Sequence, residues 1–270
     1  MLIRFIIIAF LVLTTAACTS SPTPVADTLL MPQKPLLKTQ HYQISYSTEH
    51  QSPKVKSVQL PAHKVKRNQT VSIIADNTSV TDTLYTQITD ALNAIQLNVV
   101  SKGTSDYTLS IHQLELNFVE DTKYQIDTPE SPLPTFEKVS LLHPSQQCAT
   151  ISADVSMRLT HRASGDVVWF GKSAIESASF HREPLIYSYS QEQIISNELE
   201  VASFIHQQNT EQARLLRATQ KVVTPPYKTI SKISSLTKVQ GPCNRTEVSA
   251  LTPMMQYYLS SILIDKIKVQ

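Results

Sequence analysis

Glycine is scarce in this 270-residue chain: there are four, Gly103, Gly165, Gly171 and Gly241, and they lie far apart. Loops that cradle phosphate need clustered glycines, so that several backbone N–H groups can converge on one anion. The scatter excludes a P-loop, a dinucleotide fingerprint and a glycine-rich kinase loop. A surplus of one charge is missing too. The 24 Lys and Arg nearly balance the 22 Asp and Glu, for a formal net charge of +2, so nothing points to a dedicated nucleic-acid binder. With 17% charged and 41% hydrophobic residues, the chain is too polar to cross a membrane many times and too apolar to be wholly disordered. Its length suits one large domain or two modest ones.

Motifs that carry chemistry are equally sparse. The eight histidines, His41, His50, His63, His112, His143, His161, His181 and His206, form no HExxH and no i, i+4 pair, so a helix-borne zinc site is not expected. There is no GxSxG elbow. Ser235-Leu236-Thr237-Lys238 fits Ser-x-x-Lys, but it lacks the companion motifs of that chemistry. Glu115, Glu120 and Asp121 read as polar positions beside an alternating strand. A Ser–His pair or converging carboxylates in a cleft would be needed to support a hydrolase. The expectation is a protein without catalytic residues, cofactor or metal.

What the chain does have begins at its amino terminus. Residues 1–18 read MLIRFIIIAFLVLTTAAC. Arg4 is a minimal positive region, and Phe5 to Leu13 is an apolar run of signal-peptide length, well short of the ~20 residues that span a bilayer. Leu13-Thr14-Thr15-Ala16-Ala17-Cys18 resembles the lipobox of bacterial lipoproteins, with Thr15 where that family favours Leu. The resemblance implies cleavage before Cys18 and acylation of that cysteine. Thr19, in place of the Asp that tends to retain such proteins at the inner membrane, implies sorting to the outer membrane and a periplasmic body. The alternative is an ordinary secretory signal cut near Ala17.

Two further cysteines remain, Cys148 and Cys243. An even pair in an oxidising compartment points to a disulfide, which would close a loop of roughly a hundred residues and stabilise by about 4–5 kcal/mol on a chain-entropy model. Two separate buried thiols are the alternative.

Residues 19–37 are rich in Ser, Thr and Pro, including Ser20-Ser21-Pro22-Thr23-Pro24, and read as a flexible tether. Tyr42, Ile44 and Tyr46 alternate as in a half-buried strand. Lys54, Lys56, Lys64, Lys66 and Arg67 follow with no acidic residue between them. This run suits contact with anionic headgroups or peptidoglycan, or is a solvated face. Val71–Ala75 reads as a strand ending at the turn pair Asp76-Asn77. A helix then starts at a cap on Ser79 or Thr81, with Asp82 in its first turn and Leu84, Ile88, Leu92 and Ile95 on one stripe. A second strand is expected near 97–100. A third starts with Tyr107, Leu109 and Ile111 and resumes at Leu114, Leu116 and Phe118 after a bulge at His112-Gln113.

Four prolines in 121–146 suggest an extended excursion. Ala153–Leu159 and Val167–Gly171 then form a hairpin around Ala163-Ser164-Gly165-Asp166, with Trp169, the only Trp, as a core or sheet-face anchor. From Gln191 to about Val223 the spacing predicts one long helix with Ile195, Leu199, Ala202, Ile205, Ala213 and Leu216 on its apolar side, ended by Pro225-Pro226. A last helix spans about Thr252 to Lys268, Pro253 in its first turn.

Two stretches carry a wider resemblance. Residues 71–111, with Asp106, Tyr107 and Leu109, and residues 157–173, with Ser164, Gly165, Val167, Val168 and Trp169, resemble the curli-secretion channel lipoprotein, the penicillin-binding-protein activator lipoproteins and related envelope-assembly factors. The resemblance covers about residues 70–180 and implies an α+β fold, a mixed β-sheet packed by helices as a two-layer α/β sandwich; the spacing beyond it adds a helical C-terminal region, whose long 191–223 helix departs from those families. The expected organisation is a signal peptide over 1–17, a lipidated tether over 18–38, a sandwich domain over 39–190 and a helical region over 191–270. The function expected is that of an outer-membrane lipoprotein, held by lipid on Cys18, that docks a protein partner of an envelope, secretion or appendage machine. The alternative is an accessory of lipid or lipopolysaccharide transport.

Overall fold

A computed structural model describes residues 24–60, 63–75, 78–101 and 104–270. The leader and Cys18 lie outside the described residues, as do the turn pair Asp76-Asn77 and Gly103. The chain is a mixed α/β fold of mostly antiparallel strands. The described residues divide into two compact units, one made of 42–189 and 235–270, the other of 24–41 with 190–234.

The larger unit is built on β5 (Tyr107–Ile126), a strand of 20 residues. Antiparallel β6 (Ser145–His161) runs along one edge of it. The other edge takes two partners: parallel β3 (Thr70–Ala75) over Tyr107–Ile111, and antiparallel β1 (Thr39–Ser47) at Gln125 and Ile126. Beyond β6 lie β7 (Val167–Glu176) and, at the end of the strand order, β2 (Lys54–Gln59). Short β4 (Asn98–Val99) pairs β3, and β8 (Leu185–Ile195) pairs β10 (Thr237–Gln240) over Ile186–Ser188. The expected bulge is a register shift between Ile111 and Gln113. Gly165, at φ +74, makes the β6–β7 turn, a conformation open to glycine because it has no Cβ.

Two helices cover one face of this sheet. In α1 (Asp82–Ala94), Thr81 caps the start by accepting the Leu84 N–H at 3.2 Å, and Leu84, Ile88 and Leu92 are buried. The others in the larger unit are α2 (Pro134–Leu142), α3 (Ser177–Phe180), α6 (Arg245–Ser249) and α7 (Thr252–Ile264). Helix α7 packs on β6, β7 and α1. Its Met255, Leu259 and Leu263 meet Met157, Leu159 and Trp169 in one core. Gly171 is a matter of space: a Cβ there would stand 2.6 Å from the Trp169 ring and 2.9 Å from Leu263. Cys148, in β6, and Cys243 form a disulfide, and the Ala149 N–H donates to the Cys243 carbonyl at 2.9 Å.

The smaller unit holds α4 (Glu198–Gln208), α5 (Glu211–Arg217) and β9 (Thr229–Ile233), which pairs the far half of β8. The helix expected over 191–223 is therefore corrected in two places. Gln191–Ile195 continue β8, and Thr210 caps a new helix by accepting the Ala213 N–H. Leu199 and Leu216, placed on the apolar side, are exposed. The described part of the tether is an arm held by hydrogen bonds. Arg214 Nε donates to the Ala26 carbonyl at 2.9 Å, Asn209 and Leu29 bond reciprocally at 2.8 and 2.9 Å, and Lys34 pairs with Glu198.

Two more expectations are corrected. The 121–146 excursion is mostly regular: β5 runs on to Ile126 with Tyr124 buried, β6 resumes at Ser145, and α2 lies between them. The C-terminal region is not wholly helical, because β9 and β10 lie within it, and 235–270 belongs to the larger unit.

Candidate interaction surface

Strand alternation gives the larger unit's sheet a second face, opposite the one under α1 and α7. The register lays out its rows. Val58 faces Phe170, Phe170 faces Arg158, Arg158 faces Ser110, and Ser110 faces Ile74. The next row is Lys56, Lys172 and Ser156, and the one after it Lys54, Ala174, Asp154 and Glu115. Val58, Ile74 and Phe170 expose 54%, 48% and 38% of their surface, against 0% for Trp169 next door. Arg158 Nε is shielded from solvent without a hydrogen-bond partner. Lys172 stands 3.9 Å from Asp154. The surface thus sets aliphatic and aromatic groups among cations. Its border strand β2 is fixed from the core side by the Trp169 indole N–H, which donates to Ser57 Oγ at 2.8 Å.

Clefts lie between the β1–β2 loop and the segment around α3, and one of them borders the open face at Lys54 and Ala174. One is lined by Ser47, His50, Tyr124, Asp127, His181 and Arg182, another by Gln51, Lys54, Ser152, Glu176 and Ser179.

The residues that sequence singled out for chemistry are dispersed. Glu115 lies opposite Asp154 on the open face, whereas Glu120 and Asp121 fall in the shift between Val119 and Thr122. The Lys238 ammonium is engaged by Glu247, which also accepts the N–H groups of Cys243 and Asn244. That ion pair and these N–H groups hold the Glu247 carboxyl down at about 2. Among the described residues no group of three His, Cys, Asp or Glu is placed to hold a metal ion.

One contact was not foreseen. His161 Nδ1 and Ser164 Oγ are 2.9 Å apart, and the His63 ring lies 4.6 Å from that of His161 and 4.0 Å from Asp166. Ser164 also accepts the Asp166 N–H at 3.4 Å, so the pair braces the exposed β6–β7 turn. The i, i+3 spacing was the signal for it.

Asp106 and Tyr107 are occupied with the fold. The Asp106 carboxylate accepts the Thr70 N–H and hydroxyl at 2.8 and 2.9 Å, which lowers its pKa. Tyr107 is buried and donates to Gln69 at 2.9 Å. Both tie the start of β3 to the start of β5.

No family model and no curated protein matches this chain. Solved structures it is similar to include the PelC dodecamer from Paraburkholderia phytofirmans, at 12% identity over 46% of this chain and 81% of that one, TM-score 0.27. Another is a minor lipoprotein from Acinetobacter baumannii, at 10% identity over 73% and 94%, TM-score 0.23. A PDZ domain protein from Parabacteroides distasonis shares 8% identity over 58% and 40%, TM-score 0.24. Scores this low carry no functional argument. Among the described residues no helix is long and apolar enough to cross a membrane.

Proposed function

We propose that this chain is a periplasmic lipoprotein held at the outer membrane by acylated Cys18, acting as a non-enzymatic docking factor for an envelope, secretion or appendage machine. In this reading the sheet and the helices α1 and α7 form a two-layer sandwich of the kind found in envelope-assembly lipoproteins. The open sheet face is the docking surface. The observation that carries it is the row running from Val58 and Phe170 past Arg158 to Ile74, along which Val58, Phe170 and Ile74 stand exposed. Aromatic and Arg side chains are the residue types that dominate binding energy in interfaces. The Cys148–Cys243 disulfide suits an oxidising compartment. A lipid-carrying role would call for an apolar groove between sheet and last helix, and Met255, Leu259 and Leu263 fill that space.

Two experiments test the reading. Cys18→Ser is expected to release the protein from membranes; continued pelleting with them overturns the anchor. A photo-crosslinking residue at position 170 in intact envelopes is expected to give one discrete stoichiometric adduct, lost on Arg158→Glu. The same residue at exposed Leu141 of α2 serves as the control. Equal adducts from both positions, or none from position 170, overturn the docking face.

A further inference from the structure

Two segments some 200 residues apart meet at one edge of the larger unit, and both are basic. Val65 pairs with Val269 in a parallel bridge. Around it the Gln270 N–H donates to the Val65 carbonyl at 2.9 Å, and the Arg67 N–H to the Gln270 carbonyl at 3.2 Å. The Gln59 amide clamps the same strand from the side, donating to the Lys268 carbonyl at 2.9 Å and accepting its N–H at 2.7 Å.

Val65 is wholly buried and Val269 packs against the core. Alternation along an extended chain therefore turns their neighbours Lys64, Lys66 and Lys268 away from the core, onto one outward side. All three are exposed, as are Arg67 and Lys266 beside them. None of the five makes an ion pair with another described residue. Carboxylates occur nearby: Asp166 stands by His63, Asp106 is held by Thr70, and Asp265 follows α7. Like charges set side by side on adjacent strands repel. The fold nevertheless places three exposed lysines on neighbouring stretches of backbone.

We propose that Lys64, Lys66 and Lys268 form a cationic foot that rests on the anionic surface of a phospholipid bilayer. Exposed lysines without an ion-pair partner among the described residues match negative charge spread over a plane, and each lysine brought to such a surface raises affinity by about fivefold. The contact needs no acyl chain and adds to the anchor of the preceding section without depending on it.

Lysine acetylation followed by mass spectrometry tests this on the full chain. The protein is incubated with vesicles of phosphatidylcholine alone, or with about 30% phosphatidylglycerol added. Expected is roughly tenfold slower labelling of Lys64, Lys66 and Lys268 on the anionic vesicles only, with Lys138 unchanged, and full labelling restored by about 0.5 M salt. Lys268→Glu, a surface change that leaves folding intact, is expected to return Lys64 and Lys66 to the rate seen on neutral vesicles. Equal labelling of vesicle-bound protein on both compositions overturns the proposal. The bound fraction on neutral vesicles reports the lipid anchor separately, so the two readings fail in distinguishable ways.

Discussion

Trp169 and Phe170 are consecutive in β7 and stand on opposite sides of the same sheet. Trp169 is enclosed by Leu159, Gly171 and the helices above, and its indole N–H is satisfied by Ser57, whereas Phe170 lies open beside Val58 and Arg158. One strand thus serves two purposes by alternation alone. The packed side fixes the sheet through close contacts that tolerate no added atom. The open side is left with groups whose burial awaits something outside the unit.

That contrast predicts a large difference from small changes. Trp169→Ala is expected to cost about 3–5 kcal/mol of unfolding free energy, read by denaturant titration. Next in size, Gly171→Ala should cost about 1–3 kcal/mol by overpacking against Trp169 and Leu263. A neutral result would mean that the helix α7 seam is looser than its contacts imply. Glu247, in α6 where this helix joins the core, sharpens the comparison by pH. Its folded pKa of about 2 lies below the ordinary value of 4.5. Its contribution is therefore fully present above the unfolded value and is lost as pH falls through the folded one. Glu247→Gln should flatten the fall in melting temperature between those two pH values and leave the rest of the profile alone. Smallest of all, Phe170→Ser should stay within about 0.5 kcal/mol. A loss like that of Trp169→Ala would show that the second face is packed after all.

Sequence was most legible where local rules and the packed face agree. Thr81 caps α1, Leu84, Ile88 and Leu92 point inward, Gly165 makes the hairpin turn, and Cys148 pairs with Cys243. It was least legible where one pattern suits two structures. Ile195, Leu199, Ala202 and Ile205 fit a helical stripe, yet Ile195 ends a strand held by β9 and Leu199 is 84% exposed. The pairing with β9 is nonlocal, and no spacing within 191–205 encodes it. The same holds for 123–125, whose strand character depends on partners at 145–147. For the candidate surfaces, the basic run 54–67 was visible, but its union with Lys268 was not, because a single bridge between distant residues creates it. The open face of the sheet was hidden for a related reason. Which side of an alternating strand is covered depends on helices supplied by other parts of the chain.

The disulfide has a bearing on how the molecule survives damage. Every residue of 190–234 lies between Cys148 and Cys243 along the chain, so an endoprotease cutting anywhere in that span leaves two pieces still joined by sulfur. The C-terminal piece carries α7, whose Met255, Leu259 and Leu263 complete the core. A nicked copy therefore keeps its own closing segment at hand instead of shedding it into bulk solvent.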